Sequence, residues 1–245
     1  MEIKNKTNQP IENMEDWVIK TPIQKKDWVE GRSAYSLADF ILNKNGTDKI
    51  RGVVENLLKD EVVFERAIPE LEVKFDKFSG RGRFHDLGIY GKTKSDSKSI
   101  FVGVESKVDE TFGQTISEKY IAAITERLNG NNTNAPDRVE NLLKQNFGGK
   151  IREKYFDMRY QFLYSTMGTL EVKKDISILF IIVFKTNSYD EMKGKENYRD
   201  YCQYIQNVDS TKISCDFDNV EAHKLIVDNR ALFSVYMEVE KEQEV

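Results

Sequence analysis

The spacing of apolar positions along this chain changes period several times, and the changes divide it into elements. Residues 1–30 are mostly polar, with Trp17 and Trp28 as candidate anchors onto the body. Helical spacing begins at Ser33, read as an N-cap, and puts Leu37, Phe40 and Ile41 on one stripe. A second helix over 48–58 carries Ile50, Val53, Val54, Leu57 and Leu58 at intervals of three and four. From Val62 the period falls to two. Residues 64–78, 84–90 and 100–108 read as three strands, separated by SGRGR at 79–83 and KTKSDSKS at 92–99, and a meander is the simplest way to join them.

Helical spacing returns over 115–173 in at least three pieces, broken at 129–136 and 147–150. The run ISILFIIVF, 176–184, is β-branched and aromatic throughout, as expected of a strand covered on both faces. A helix near 196–208 follows, then a hairpin of 222–227 with 232–239 turning at Asp228-Asn229. No repeat or low-complexity linker marks a boundary. The chain therefore reads as one α/β domain over 1–245, with a lead-in at 1–30, a core at 33–184 and a C-terminal extension at 185–245.

The second and third strands carry the candidate chemistry. If their loop is centred between Ser95 and Asp96, residues whose numbers sum to 191 lie opposite each other. Leu87 then meets Val104 and Ile89 meets Val102 on an apolar face, while Tyr90 meets Phe101, Gly88 meets Gly103 and Asp86 meets Glu105 on the other. A one-residue slip would destroy that segregation. His85 alternates to the apolar side as a core or edge histidine, and the facing glycines would leave a side-chain-free floor beside the acids. Opposed carboxylates have Cβ atoms about 4.5–5.5 Å apart, and at an effective dielectric of about 20 they repel by roughly 3 kcal/mol. A shared proton, a divalent cation, or Lys107 on the same face could offset this. Hard oxygen ligands suit Mg²⁺ or Mn²⁺. The competing reading is an exposed polar sheet face with a cross-strand salt bridge, which contributes little.

Charge changes the picture locally. The 37 Lys and Arg against 41 Asp and Glu leave a net charge of −4, which excludes a protein that coats DNA but not one with a basic patch. Residues 73–107 hold eight Lys or Arg against four acids, and Arg81 and Arg83 are placed to hold phosphate oxygens. Two cysteines without CxxC spacing exclude a disulfide framework or zinc site and read as inert thiols. The two histidines are too few for a histidine-metal phosphohydrolase. There is no Walker A, GxGxxG or GxSxG motif. The amino terminus has no signal-peptide apolar region and the longest apolar run is about half a membrane span. A cytoplasmic protein with no membrane partner is expected.

Asp86, eighteen intervening residues, then Glu105-Ser106-Lys107 resembles the motif of the PD-(D/E)XK phosphodiesterase superfamily, with His85 where the written motif has Pro. The order helix, three strands, helix, strand over 33–184 is similar to that family's restriction-endonuclease-like αβββαβ core, a mixed sheet flanked by helices, here with a helical insertion and a C-terminal hairpin. The resemblance implies that Asp86, Glu105 and the Ser106 carbonyl bind Mg²⁺ or Mn²⁺ and that Lys107 orients or activates the attacking water. It also implies an auxiliary acid, for which Glu55 and Glu70 are the candidates, and a Gln or Lys on the following helix, for which Gln114 is the candidate. The implied activity is metal-dependent cleavage of DNA phosphodiester bonds, in a restriction or phage-defence setting, with a homodimer as a candidate assembly. The alternatives are a non-catalytic nucleic-acid- or protein-binding module of the same fold and an enzyme acting on a non-nucleic substrate.

Overall fold

The computed structural model describes residues 1–240. Its centre is one eight-stranded mixed sheet of order β1-β2-β3-β4-β5-β8-β7-β6. The strands are β1 (Glu2–Ile3), β2 (Val62–Val73), β3 (Arg83–Thr93), β4 (Ser99–Lys107), β5 (Ile176–Phe184), β6 (Asp209–Ile213), β7 (Val220–Val227) and β8 (Arg230–Val239). The helices are α1 (Met14–Lys20), α2 (Ser33–Asn43), α3 (Gly46–Leu58), α4 (Ile116–Leu128), α5 (Ala135–Phe147), α6 (Tyr160–Glu171) and α7 (Glu191–Asn207). β2, β3 and β4 form the expected antiparallel meander, and β5 and β8 continue the sheet parallel to β4.

The sheet has a core on each face. Leu37, Phe40 and Ile41 of α2 and Ile50, Val53 and Val54 of α3 cover Leu87, Ile89, Val102 and Val104, with Trp17 of α1 at the margin. Phe162, Leu163 and Met167 of α6, with Leu142 of α5 and Tyr201 and Tyr204 of α7, form the second core. β5 explains why its sequence is apolar without alternation: Ile178, Phe180 and Ile182 enter the first core, and Leu179, Ile181 and Val183 the second.

The β7–β8 hairpin turns at Asp228 and Asn229, both at positive φ (51° and 56°), the backbone that a two-residue turn with matching twist demands. Ser33 is the first residue of α2 rather than its cap; Arg32 takes that place with extended backbone and no side-chain cap. β2 ends at Val73, short of the expected Phe78, because Phe75 turns into the second core and Asp76 pairs with Arg138 of α5. α1, β1 and β6 lie outside the elements read from the sequence. Cys202 and Cys215 are both free and half-buried, and burial raises both thiols above their usual range, where the reactive thiolate is scarce. No helix among the described residues is long and apolar enough to cross a membrane.

Candidate active site

The β3–β4 register is the expected one: Leu87 faces Val104, Gly88 faces Gly103, Ile89 faces Val102 and Tyr90 faces Phe101. At its other end the ladder stops at Leu87 and Val104, one pair short of Asp86 and Glu105. On the other side of β3, Pro69 pairs with Leu87 and Leu71 with His85, and the intervening opposed pair, Glu70 and Asp86, is skipped. Glu70 sits at φ 50°, the left-handed region. A non-glycine residue there costs on the order of 1–3 kcal/mol, and such strain concentrates at functional sites.

This break reverses the alternation. Leu87 enters the first core, yet His85, two residues earlier, lies under α6 on the opposite face, which corrects its expected placement. Its ring occupies the space above Gly103, where a Cβ would come within 2.8 Å of it, so the expected open floor beside the acids is filled. Gly88 is likewise covered, by Leu71 and Phe101. Burial first, and then the neighbouring Arg83 guanidinium, holds the His85 imidazole well below its usual pKa and therefore neutral.

Asp86 consequently does not join Glu105. Its Oδ2 accepts the Ser106 N–H at 2.7 Å and the Ser106 hydroxyl at 2.8 Å. Ser106 meets Asp86 as a donor, not through its carbonyl, and its side chain alternates to the face away from Glu105.

Glu105 is enclosed by donors. It pairs with the Arg83 guanidinium, accepts Lys107 Nζ at 2.9 Å, and accepts the Gln161 amide. Glu105, Arg83 and Lys107 are 3%, 8% and 6% exposed. Arg83 Nε also donates to Ser165 Oγ at 3.1 Å, and its guanidinium lies 5.0 Å from the Tyr164 ring centre. Lys107 lies 5.3 Å from the Phe112 ring centre. One stripe of α6 builds this enclosure, with Gln161, Ser165 and Gly168 at intervals of four and three. At Gly168 a Cβ would meet Arg83 Cγ at 3.0 Å and His85 Nε2 at 3.1 Å. Two cations thus share one carboxylate.

The complementary imbalance lies at Glu70 and Asp86. Burial, followed by the Asp86 charge, pushes the Glu70 carboxyl up to about 8, and the Arg83 charge opposes the shift. Folded protein therefore retains a proton that the unfolded chain, with glutamate near 4.5, releases. Stability contributed by this group is present below pH 4.5 and declines as pH rises towards 8. On the order of 2 kcal/mol should be lost across that window once water access is allowed for. Thermal melts from pH 5 to 9 should show a Tm fall of about 4–8 °C, and Glu70→Gln should flatten it; an equal fall in the variant would reject the assignment.

Glu70 and Asp86 fit a divalent cation by the chemistry of the donor set, two hard carboxylates whose charges act on each other and neither of which has an ion-pair partner among the described residues. Glu105 in its observed pairing does not. No group of three or more His, Cys, Asp or Glu that could hold a metal occurs among the described residues.

The other expected site residues are dispersed. Glu55 accepts the Val62 N–H at 2.9 Å, at the opposite end of β2 from Glu70. Gln114 is exposed in the loop before α4 and contributes its carbonyl to Tyr160 N–H. The glutamine that reaches Glu105 is Gln161 of α6. Arg81 is exposed in the β2–β3 loop, whereas Arg83 is buried on Glu105 rather than open to a ligand. A cleft of about 510 Å³ between α2 and the chain after β5 is lined by none of the candidate site residues.

A family model described as "Domain of unknown function (DUF6946)" matches residues 10–239. No curated protein and no solved structure matches the chain.

Proposed function

The chain belongs to the DUF6946 family, a domain of unknown function, and we propose that it is a metal-dependent nuclease with a restriction-endonuclease-like core. The observation that carries the reading is the opposed charge imbalance at one end of β3 and β4: two carboxylates without a cation, and two cations on one carboxylate. The order α3, β2, β3, β4, helices, β5 supports the fold assignment, with Glu105-Ser106-Lys107 closing β4.

A divalent cation held by Glu70 and Asp86 would supply Lewis acidity and an activated water at the phosphate. The chain's own residues do the rest. Ser106 fixes the Asp86 carboxylate with two hydrogen bonds, so it is oriented before any ligand arrives. Attack at phosphorus spreads negative charge over the phosphoryl oxygens, and the one positive charge that Lys107 and Arg83 carry beyond what Glu105 cancels would act on it as a field through the sheet, from the face opposite Asp86.

A second reading is favoured by the enclosure of Glu105. A carboxylate that already has three donors suits a non-catalytic member of the fold that binds nucleic acid or protein. Incubation with plasmid, single-stranded DNA and RNA in Mg²⁺, Mn²⁺ or EDTA separates the two. Cleavage in either metal and none in EDTA is expected. Activity that survives both Asp86→Ala and Lys107→Ala would overturn the nuclease reading, and calorimetric Mn²⁺ binding without cleavage would favour the second.

A further inference from the structure

Of the eight Lys and Arg between residues 73 and 107, five meet a carboxylate: Arg83 and Lys107 on Glu105, Lys92 on Glu65, Lys94 on Glu61 and Lys98 on Asp96. The remaining three, Lys74, Lys77 and Arg81, are all exposed and all lie in the β2–β3 loop, residues 74–82. Lys74 donates to the neutral Gly80 carbonyl. Lys77 and Arg81 have no hydrogen-bond or ion-pair partner among the described residues. The acid inside the loop, Asp76, is taken up by Arg138 of α5 at 2.6 Å.

The loop is anchored rather than loosely extended. Phe75 is buried with the Arg138 guanidinium 5.4 Å from its ring centre, and Arg138 also donates to the Ser79 carbonyl at 3.3 Å. Asn134 donates to Ser79 Oγ at 2.8 Å. At Gly82 a Cβ would lie 2.3 Å from the Val73 carbonyl oxygen, so the loop closes with a backbone approach only glycine allows. Cations on a held loop lose less freedom on binding than cations on a flexible one.

We propose that this loop is a phosphate-backbone clamp for a nucleic-acid strand running past the Glu70–Asp86 pair. The choice of polyanion rests on the nuclease reading. Lys74 follows Glu70 by four residues and Arg81 precedes Asp86 by five, within about 13 and 17 Å at the rise of an extended chain. A DNA strand advances about 3.4 Å per nucleotide, so the clamp grips phosphates up to about four or five nucleotides from the acids. The remaining surface, net negative, repels the rest of the polyanion and makes the register depend on this loop.

Fluorescence anisotropy with short duplex DNA, single-stranded DNA and RNA in EDTA, over a range of salt, tests the clamp without cleavage. Three phosphate contacts give a log–log salt slope near −2.7 for duplex or −2.1 for a single strand, to about half a unit. The Lys74→Ala/Lys77→Ala/Arg81→Ala variant should bind at least about tenfold more weakly with most of that slope gone. The Lys92→Ala/Lys94→Ala/Lys98→Ala variant, with the same change in net charge, should bind within about twofold of wild type. Equal losses in both variants, an unchanged loop variant, or no binding by wild type to any of the three strands would overturn the proposal. Loop-dependent binding without cleavage in any metal would leave the clamp standing and remove the nuclease reading.

Discussion

Asp86→Asn should lower metal-dependent cleavage by at least about a hundredfold while making the folded protein more stable. The loss follows from removing one of the two carboxylates that suit a cation; even residues that merely orient metal ligands are worth about 10–100-fold. The gain follows from Glu70. Its carboxyl stands near 8 partly because Asp86 is charged beside it, so a neutral asparagine relieves that term. Asparagine also keeps an oxygen to accept the Ser106 N–H and hydroxyl. Activity and stability then move in opposite directions, the trade expected where a site holds unfavourable charge for function. Turnover in Mn²⁺ together with Tm at pH 8 reads both, and loss of activity accompanied by a lower Tm would mean that Asp86 acts only as a structural link to Ser106.

The parts of the fold legible in the sequence are those where one strand's two faces differ, or where neither does. Leu87, Ile89, Val102 and Val104 had to share a face, and that alone determined the β3–β4 pairing. The apolar run of β5 could be recognised because both faces are buried. α1 escaped because its seven residues bury only Trp17, too little for a periodic signal. β6 escaped because an edge strand with one neighbour keeps no buried face in its sequence.

At the site, Glu105 and Lys107 were legible because two-residue spacing on a regular strand guarantees a common face. The behaviour of Asp86 was not. It depends on a left-handed Glu70 on another strand, and a single reversal of alternation moved Asp86 to Ser106 and His85 under α6. Glu70 was within reach only as an alternative auxiliary acid. Gln161 lies 56 residues from Glu105; Arg159, Tyr160 and Gln161 could be read as one helix able to pack beside the site, but the contact with Glu105 itself could not. The local excess of basic residues was real in the sequence but misleading as a patch, because the lysines at the far end of the hairpin have their own acids.

Glu105→Gln should destabilise the protein by about 3–5 kcal/mol, and Lys107→Met by much less. The asymmetry comes from counting charges in a site nearly closed to water. Two buried cations share one carboxylate. Removing Lys107 leaves Arg83 and Glu105 as a matched pair still hydrogen-bonded by Gln161, and methionine replaces the aliphatic stem that packs by Phe112. Removing the Glu105 charge strands both cations, and neither has another acid as partner. In a domain of this size each kcal/mol shifts Tm by about 2–4 °C, so Glu105→Gln should melt roughly 6–20 °C lower. Equal midpoints for the two variants in urea would show that the charges are not enclosed as described. The ordering also decides which variant can report on chemistry. Activity lost in Glu105→Gln is inseparable from a weakened fold, whereas activity lost in a well-folded Lys107→Met isolates the contribution of that ammonium to the reaction.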